Sequence, residues 1–293
     1  MGFFDGLTGV ARIGLGLAAV GRPAYINLGR AADLPADRSV EAMRDRAHEL
    51  LDQAYAAGVR YFDVARSYGR SEEFLASWLP GHDDALVGSK WGYTYTADWQ
   101  LAAEAHEVKD HSAATFDRQL AETRALLGNR LGLYQIHSVT PDSPALTDKA
   151  LHRRLAGQGA VVGLSTSGPR QADAIRAALG IEVDGEPLFR SVQATWNLLE
   201  PSAGPALAEA HASGRAVIVK EGLANGRLAD RDAEALAAAL HQPWATVVLS
   251  GAATAAQLAS NLRAAGLGPS AVQPVEAEPA ELYWATRAAL PWG

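Results

Sequence analysis

The chain has 293 residues, 48% of them hydrophobic and 20% charged, a globular composition that excludes disorder throughout. It has no cysteine, which excludes disulfides, thiolate metal sites, iron–sulfur clusters and cysteine nucleophiles. The net charge of −7 comes with no basic block, so nucleic acid is not expected as a partner. At the N-terminus Asp5 and Arg12 interrupt the apolar run a signal peptide needs. No stretch approaches ~18 uninterrupted apolar residues, so no membrane span is expected. The expectation is a soluble, cytoplasmic protein.

In chain order, a first strand is read over Arg12–Ala18. A helix over Val40–Ala57 follows, with Val40, Met43, Ala47, Leu50, Leu51, Ala54 and Tyr55 near one face. Strands are expected at Arg60–Val64 and Ala85–Ser89. The stretch from Trp91 to His111 has no period. It carries Trp91, Tyr93, Tyr95 and Trp99 and is read as a lid, because long loops in compact domains are usually functional. A helix over Ser112–Leu127 opens at the N-cap Ser112 and stops at Gly128. Strands at Leu131–Ile136 and Ala160–Leu164 precede a helix over Pro169–Leu179, which has proline at its start and Gly180 after its end. A strand at Ser191–Ala194, a helix at Pro205–Ala212 and strands at Ala216–Val219 and Thr246–Leu249 come next. Helices over Thr254–Ala265 and Ala277–Ala289 finish the chain, the last anchored by Tyr283 and Trp284.

Several strands are continuous apolar runs, such as Ala216-Val217-Ile218-Val219, which suits strands buried on both faces of a parallel sheet. Eight strand–helix units in about 265 residues point to an α/β fold, a (β/α)8 barrel with an additional C-terminal helix. We read residues 1–293 as one domain. Familiar cofactor and nucleophile motifs fail. Gly14, Gly16 and Gly21 have the wrong spacing for a dinucleotide fingerprint, and Gly163-Leu164-Ser165-Thr166-Ser167 misses the nucleophile elbow. His106, Glu107, Asp110 and His111 form no metal motif and read as a solvated loop face. No metal is expected.

Reactive groups in a barrel sit at the C-terminal ends of its strands. Asp63 ends the second strand, with Tyr68 in the loop after it. Lys90 ends the third strand and His137 the fourth. A tyrosine with an ordinary pKa of ~10 is a poor acid at neutral pH, and an ammonium beside it lowers that value. Asp63 would hold Lys90 in place, and His137 would orient a carbonyl oxygen. Such a set can protonate an alkoxide forming from a carbonyl. No side chain supplies a hydride, so a nicotinamide cofactor is required.

The run Gly58-Val59-Arg60-Tyr61-Phe62-Asp63-Val64-Ala65-Arg66-Ser67-Tyr68-Gly69-Arg70-Ser71-Glu72 resembles the signature of the aldo-keto reductase family, with Val64 in place of a threonine. Gly88-Ser89-Lys90 and Tyr134-Gln135-Ile136-His137-Ser138 fall where that family has its lysine and histidine. The resemblance covers nearly the whole chain. It implies an NAD(P)H-dependent enzyme that reduces an aldehyde or ketone to an alcohol, or the reverse. Tyr68 would be the acid, Lys90 and Asp63 its tuning pair, and His137 the carbonyl-orienting residue. The partner would be a small-molecule carbonyl or alcohol.

The resemblance also places the cofactor. Ser165 and Thr166 stand at the positions that hold the carboxamide, with Thr166 replacing an asparagine, and Gln193 matches the family's glutamine. Trp196 replaces a tyrosine that stacks on nicotinamide. Lys220 and Leu223 fall in the segment that cradles the pyrophosphate, where Lys220 and Glu221 depart from the family's pattern. Gly251, Thr254, Gln257 and Asn261 fall in the adenosine segment. Ala253 stands where an arginine clamps a 2′-phosphate, and Ser260 where a glutamate meets the adenine. The resemblance favours NADP(H), with NAD(H) as the other option. Trp91, beside Lys90, is the candidate for the substrate pocket. The alternative reading is a cofactor-binding regulatory subunit of a partner protein, with little or no turnover.

Overall fold

The computed structural model describes residues 2–26, 28–29 and 31–292. Eight strands close into a barrel: β1 (Ile13–Gly16), β2 (Tyr61–Asp63), β3 (Leu86–Trp91), β4 (Leu131–Val139), β5 (Val161–Thr166), β6 (Ser191–Thr195), β7 (Ala216–Lys220) and β8 (Val247–Ser250). Each pairs in parallel with its neighbours in sequence, and β8 closes on β1 through Ile13↔Val248 and Leu15↔Ser250. Parallel neighbours need long crossovers, and helices supply them. They are α1 (Val40–Ala56), α2 (Ser71–Trp78), α3 (Ala113–Leu127), α4 (Lys149–Ala156), α5 (Gln171–Leu179), α6 (Gly204–Ala212), α7 (Asp232–Leu240) and α8 (Ala255–Leu262). A further helix, α9 (Ala280–Ala288), follows the barrel. None of the described helices is long and apolar enough to cross a membrane.

The helices form where apolar spacing and capping agree. In α1 the residues Met43, Ala47, Leu50, Leu51 and Ala54 recur every three or four positions, and all are buried. Side chains of Ser39, Ser112, Asp148 and Thr254 accept backbone N–H groups at the starts of α1, α3, α4 and α8, which satisfies donors no helical carbonyl reaches. The spacing also holds in the short helices α2, with Phe74, Leu75 and Trp78 buried, and α4, with Leu151 and Leu155 buried, while α7 is buried on nearly every side. The sequence reading did not mark these three as separate elements.

The stretch from Trp91 to His111 is more ordered than expected. Tyr93–Tyr95 and Glu107–Lys109 pair as an antiparallel hairpin over the barrel mouth. His106 and His111 do not form a solvated face either. Both are buried, with His106 stacked on Trp292 at 4.2 Å and His111 Nε2 bonded to the His137 carbonyl at 2.8 Å.

Strand alternation separates two cores. One lies inside the barrel floor, where Phe4, Tyr61, Leu133, Ile218 and Val247 meet. The other lies between strands and helices, where Phe62 packs on Trp78 at 5.0 Å. Phe4 stacks edge-on to Tyr61 at 5.0 Å, so the N-terminal segment plugs the floor. Gly14 makes room for that floor. An added Cβ there would stand 2.8 Å from both Leu249 and Tyr61 and 3.1 Å from Val247. Gly14→Ala is therefore expected to destabilise the barrel by about 1–3 kcal/mol through overpacking. Urea unfolding checks this, and an unchanged midpoint would show that the floor is loosely packed.

Candidate active site

The barrel mouth is built from the same alternation. On β2, Tyr61 and Asp63 point inward while Phe62 points to the helices. Asp63 is 2% exposed, and its carboxylate has three partners. Its Oδ1 forms an ion pair with Lys90 Nζ, inward-facing on β3. Its Oδ2 accepts from Tyr61 Oη at 2.9 Å and from Gln193 Nε2, on β6, at 2.9 Å. Lys90 Nζ also donates to the Val64 carbonyl at 3.2 Å and to Tyr68 Oη at 3.3 Å. His137, on β4, presents its ring edge-on to Tyr68 at 5.4 Å. Its Nδ1 meets Ser67 Oγ at 3.3 Å. The four expected side chains thus converge on one point from three strands and one loop.

Two glycines allow the loop to reach that point. A Cβ on Gly21, in the loop after β1, would overlap the Tyr68 carbonyl oxygen. A Cβ on Gly69, at φ 59°, would overlap the Gly21 carbonyl oxygen. Only residues without side chains let these backbones touch, and Arg70 N donates to Gly21 O at 2.7 Å across the contact.

The electrostatics differ from the expectation in one respect. Tyr68 is pushed well above the usual tyrosine range, first by burial and then by Asp63, with Glu107 and Glu221 adding to the rise. The Arg22 guanidinium opposes it. The ammonium beside Tyr68 therefore does not make it a strong acid. In the folded protein Tyr68 holds its proton at neutral pH. Burial drives His137 well below the usual histidine range, and the cations Lys90, Lys220 and Arg22 add to the shift. Its imidazole is neutral at pH 7, with one N–H and one lone pair.

Above these residues opens a cavity of about 420 Å³. Asp63, Tyr68 and His137 line it, as do Gln193, Lys220, Leu223, Gly251, Gln257 and Asn261. The remaining expected residues stand elsewhere. Trp91 is fully buried against Phe116 at 5.1 Å. It follows inward Lys90 by one position, so it must face outward, and it does not line the cavity. Trp196 lies past the end of β6, packed on Trp244 at 5.7 Å. Ser165 is buried and accepts from Ser138 N at 2.8 Å, fixing the turn after His137. Thr166 bonds Gln171 at 3.4 Å, and Thr254 caps α8.

Sequence reasoning missed Arg22, Glu107, Glu221 and Arg287, all on the cavity wall. Glu221 was visible only as a departure from the family's pattern. Burial works against its charge, but Lys220 and Arg287, with bonds from Arg287 and Thr195, outweigh it and hold the carboxyl at about 2. Arg287 Nε reaches Glu221 Oε1 at 2.9 Å, tying α9 to the end of β7. Lys220 donates to Thr195 Oγ1 at 3.0 Å, and burial brings it down to about 8.

The donor set suits an elongated polar ligand. One wall is rich in glycine, at Gly222, Gly226 and Gly251, and a Cβ at Gly251 would meet nothing within 4 Å. Asn225 Oδ1 on this wall is buried without a partner. Lys220 and Arg287 supply cations, and Gln193 stands at the barrel end. A nicotinamide dinucleotide fits this arrangement.

Comparison with known proteins agrees with this geometry. The sequence pattern of the Aldo/keto reductase family matches residues 12–263. A Mycobacterium tuberculosis protein named as an uncharacterized oxidoreductase is 31% identical over 231 residues, covering 76% of this chain and 62% of its own length. An aldo-keto reductase of Strobilurus tenacellus is 25% identical over 157 residues, covering 51% of this chain and 44% of its own. The chain thus spans less than two thirds of the curated relatives it matches. Among solved structures, a Pseudomonas aeruginosa protein assigned to the aldo-keto reductases superposes with a TM-score of 0.67, at 24% identity, over 89% of this chain and 93% of that one. An aldo-keto reductase of Bacillus halodurans, solved in its holo form, gives 0.65 at 19% identity, over 96% and 93%. These two show the fold, and the family pattern shows the lineage: the chain belongs to the aldo/keto reductase family.

Proposed function

We propose that the protein interconverts a carbonyl and an alcohol at the mouth of the barrel, with NAD(P)H as the redox partner. The contact of Tyr68 Oη with Lys90 Nζ at 3.3 Å, beside the buried Lys90–Asp63 pair, carries this reading. Nicotinamide dinucleotide, when bound, supplies the hydride that no side chain can. Tyr68 holds its proton until the carbonyl oxygen gains charge. It then donates from Oη to the developing alkoxide. The ammonium of Lys90 lies beside the phenolate this leaves and stabilises it electrostatically. Asp63 holds Lys90 in place, and Tyr61 and Gln193 hold Asp63. Neutral His137, with Nδ1 engaged by Ser67, orients the carbonyl oxygen without competing for the proton.

Gln193, Lys220, Leu223, Gly251, Gln257 and Asn261 would hold the dinucleotide along the groove. Resemblance to the family favours NADP(H). Arg46 is the cation nearest Ala253, the position where the family carries its arginine: its Nη1 donates to the Ala253 carbonyl at 2.9 Å and to the Asp33 carbonyl at 3.1 Å, and its Nε pairs with Glu49 at 3.2 Å, so it would have to leave Glu49 to meet a phosphate. A guanidinium is suited to a phosphate.

Tyr68→Phe is expected to lower carbonyl reduction by about 10²–10⁴-fold, the usual contribution of a positioned acid, with dinucleotide affinity unchanged within about threefold. Steady-state kinetics with NADPH and a panel of aldehydes and ketones measures the first. Turnover equal to wild type would end this reading. For the cofactor, fluorescence titration is expected to show NADPH binding weakened about tenfold in Arg46→Gln, with NADH binding unchanged. Equal NADPH affinity in both proteins would remove Arg46 from the 2′-phosphate.

A further inference from the structure

Arg22 follows Gly21 and is seated by the same glycine contact that positions Tyr68. Arginine is almost never fully buried unless paired, yet this one is 1% exposed. Its Nε donates to Ala18 O at 3.3 Å and its Nη1 to Ser67 O at 2.9 Å. The residue it grips thus lies between the loop carrying Tyr68 and His137, whose Nδ1 meets Ser67 Oγ. The guanidinium carbon stands 5.3 Å from the centre of the Tyr68 ring, 4.6 Å from Tyr25 and 4.9 Å from Trp292. Its one carboxylate contact among the described residues is Glu107 Oε2, at 3.0 Å. Glu107 belongs to the hairpin over the mouth, and its side chain is 25% exposed. Both charges line the cavity.

We propose that Arg22 is a positioning residue for proton delivery, and that the Arg22–Glu107 pair sets how readily Tyr68 gives up its proton. The inference rests on the reading of Tyr68 as proton donor. Proton release leaves a phenolate. A cation near its ring stabilises that anion, and a carboxylate destabilises it. The two members of the pair therefore act on Tyr68 with opposite signs. The shift in Tyr68 follows the same signs, Arg22 lowering it and Glu107 raising it against the larger effects of burial and Asp63. The other groups facing Tyr68 belong to elements that neither residue replaces. They are Asp63 on β2, Lys90 on β3, His137 on β4, Lys220 and Glu221 at the end of β7, and the phenols of Tyr25 and Tyr61. The Arg22–Glu107 pair joins the proton donor to the hairpin, so a hairpin displaced by substrate would also change the acidity of Tyr68.

The opposite signs give the test. Single-turnover rates of carbonyl reduction at pH 7 are measured for Arg22→Met, Glu107→Gln and Arg22→Lys. Arg22→Met is expected to slow the step about tenfold, and Glu107→Gln to speed it about threefold. Arg22→Lys keeps the charge but not the fork of donors, so its rate is expected between those of wild type and Arg22→Met. Any fall in rate at alkaline pH moves to higher pH in Arg22→Met and to lower pH in Glu107→Gln. A pair with only a structural role would be broken by either substitution and would slow both. Both variants slower, or both unchanged, overturns the inference. Where Arg22→Met does not fold, Glu107→Gln decides alone, faster in support and unchanged or slower against. Turnover in wild type that Tyr68→Phe leaves intact overturns the functional reading beneath it, and this inference with it.

Discussion

The site depends on a buried ion pair. Lys90 and Asp63 face each other inside the barrel with side chains 0% and 2% exposed. Taking two charges out of water costs several kcal/mol for each ion, and attraction repays this only where the remaining hydrogen-bonding capacity is filled. Here it is filled from four directions. Tyr61 and Gln193 donate to the second carboxylate oxygen, and Lys90 donates to the Val64 carbonyl and to Tyr68. These partners come from β2, β6 and the loop after β2. The pair can exist only once the barrel has closed.

Closure in turn sets what the mouth can do. A phenol pushed up by burial does not ionise in the resting protein, so Tyr68 keeps its proton with the Lys90 ammonium 3.3 Å away. A histidine pushed down by burial and neighbouring cations is neutral at pH 7. Both shifts have the same origin, since burial penalises the charged form of each. The barrel interior thus makes one titratable group hold its proton and another lose it, at a single pH. Removing one partner of the ion pair would leave an uncompensated charge among these groups, which is costlier than the pair is valuable.

The cavity rim is held by charges of a second kind. Glu221 pairs with both Lys220 and Arg287 at the end of β7 and fastens α9 against the opening. Arg22 and Glu107 do the same for the hairpin. Trp292, near the end of the described chain, stacks on His106 and lies against Arg22. The segments that cover the mouth are therefore tied to it by ion pairs and ring faces more than by apolar burial. Such contacts exchange partners more readily than a packed core does.

By itself the sequence determined the barrel and the four residues at its mouth. Continuous apolar strands, capped helices and the run from Gly58 to Glu72 are local features, and local features survive in a linear reading. Asp63, Tyr68, Lys90 and His137 were legible because each lies near the C-terminal end of a strand or in the loop that follows it. Only the tertiary structure decided which side of the barrel wall each neighbouring residue takes. Trp91 is one position past Lys90, and a period of two sends it to the other side. Trp196 lies past a strand end, where that period no longer holds. Arg22 and Glu107 are 85 positions apart in sequence, and Glu221 and Arg287 are 66 apart. Nothing in either segment of a pair marks its partner, because the energy that joins them exists only when closure removes both from water.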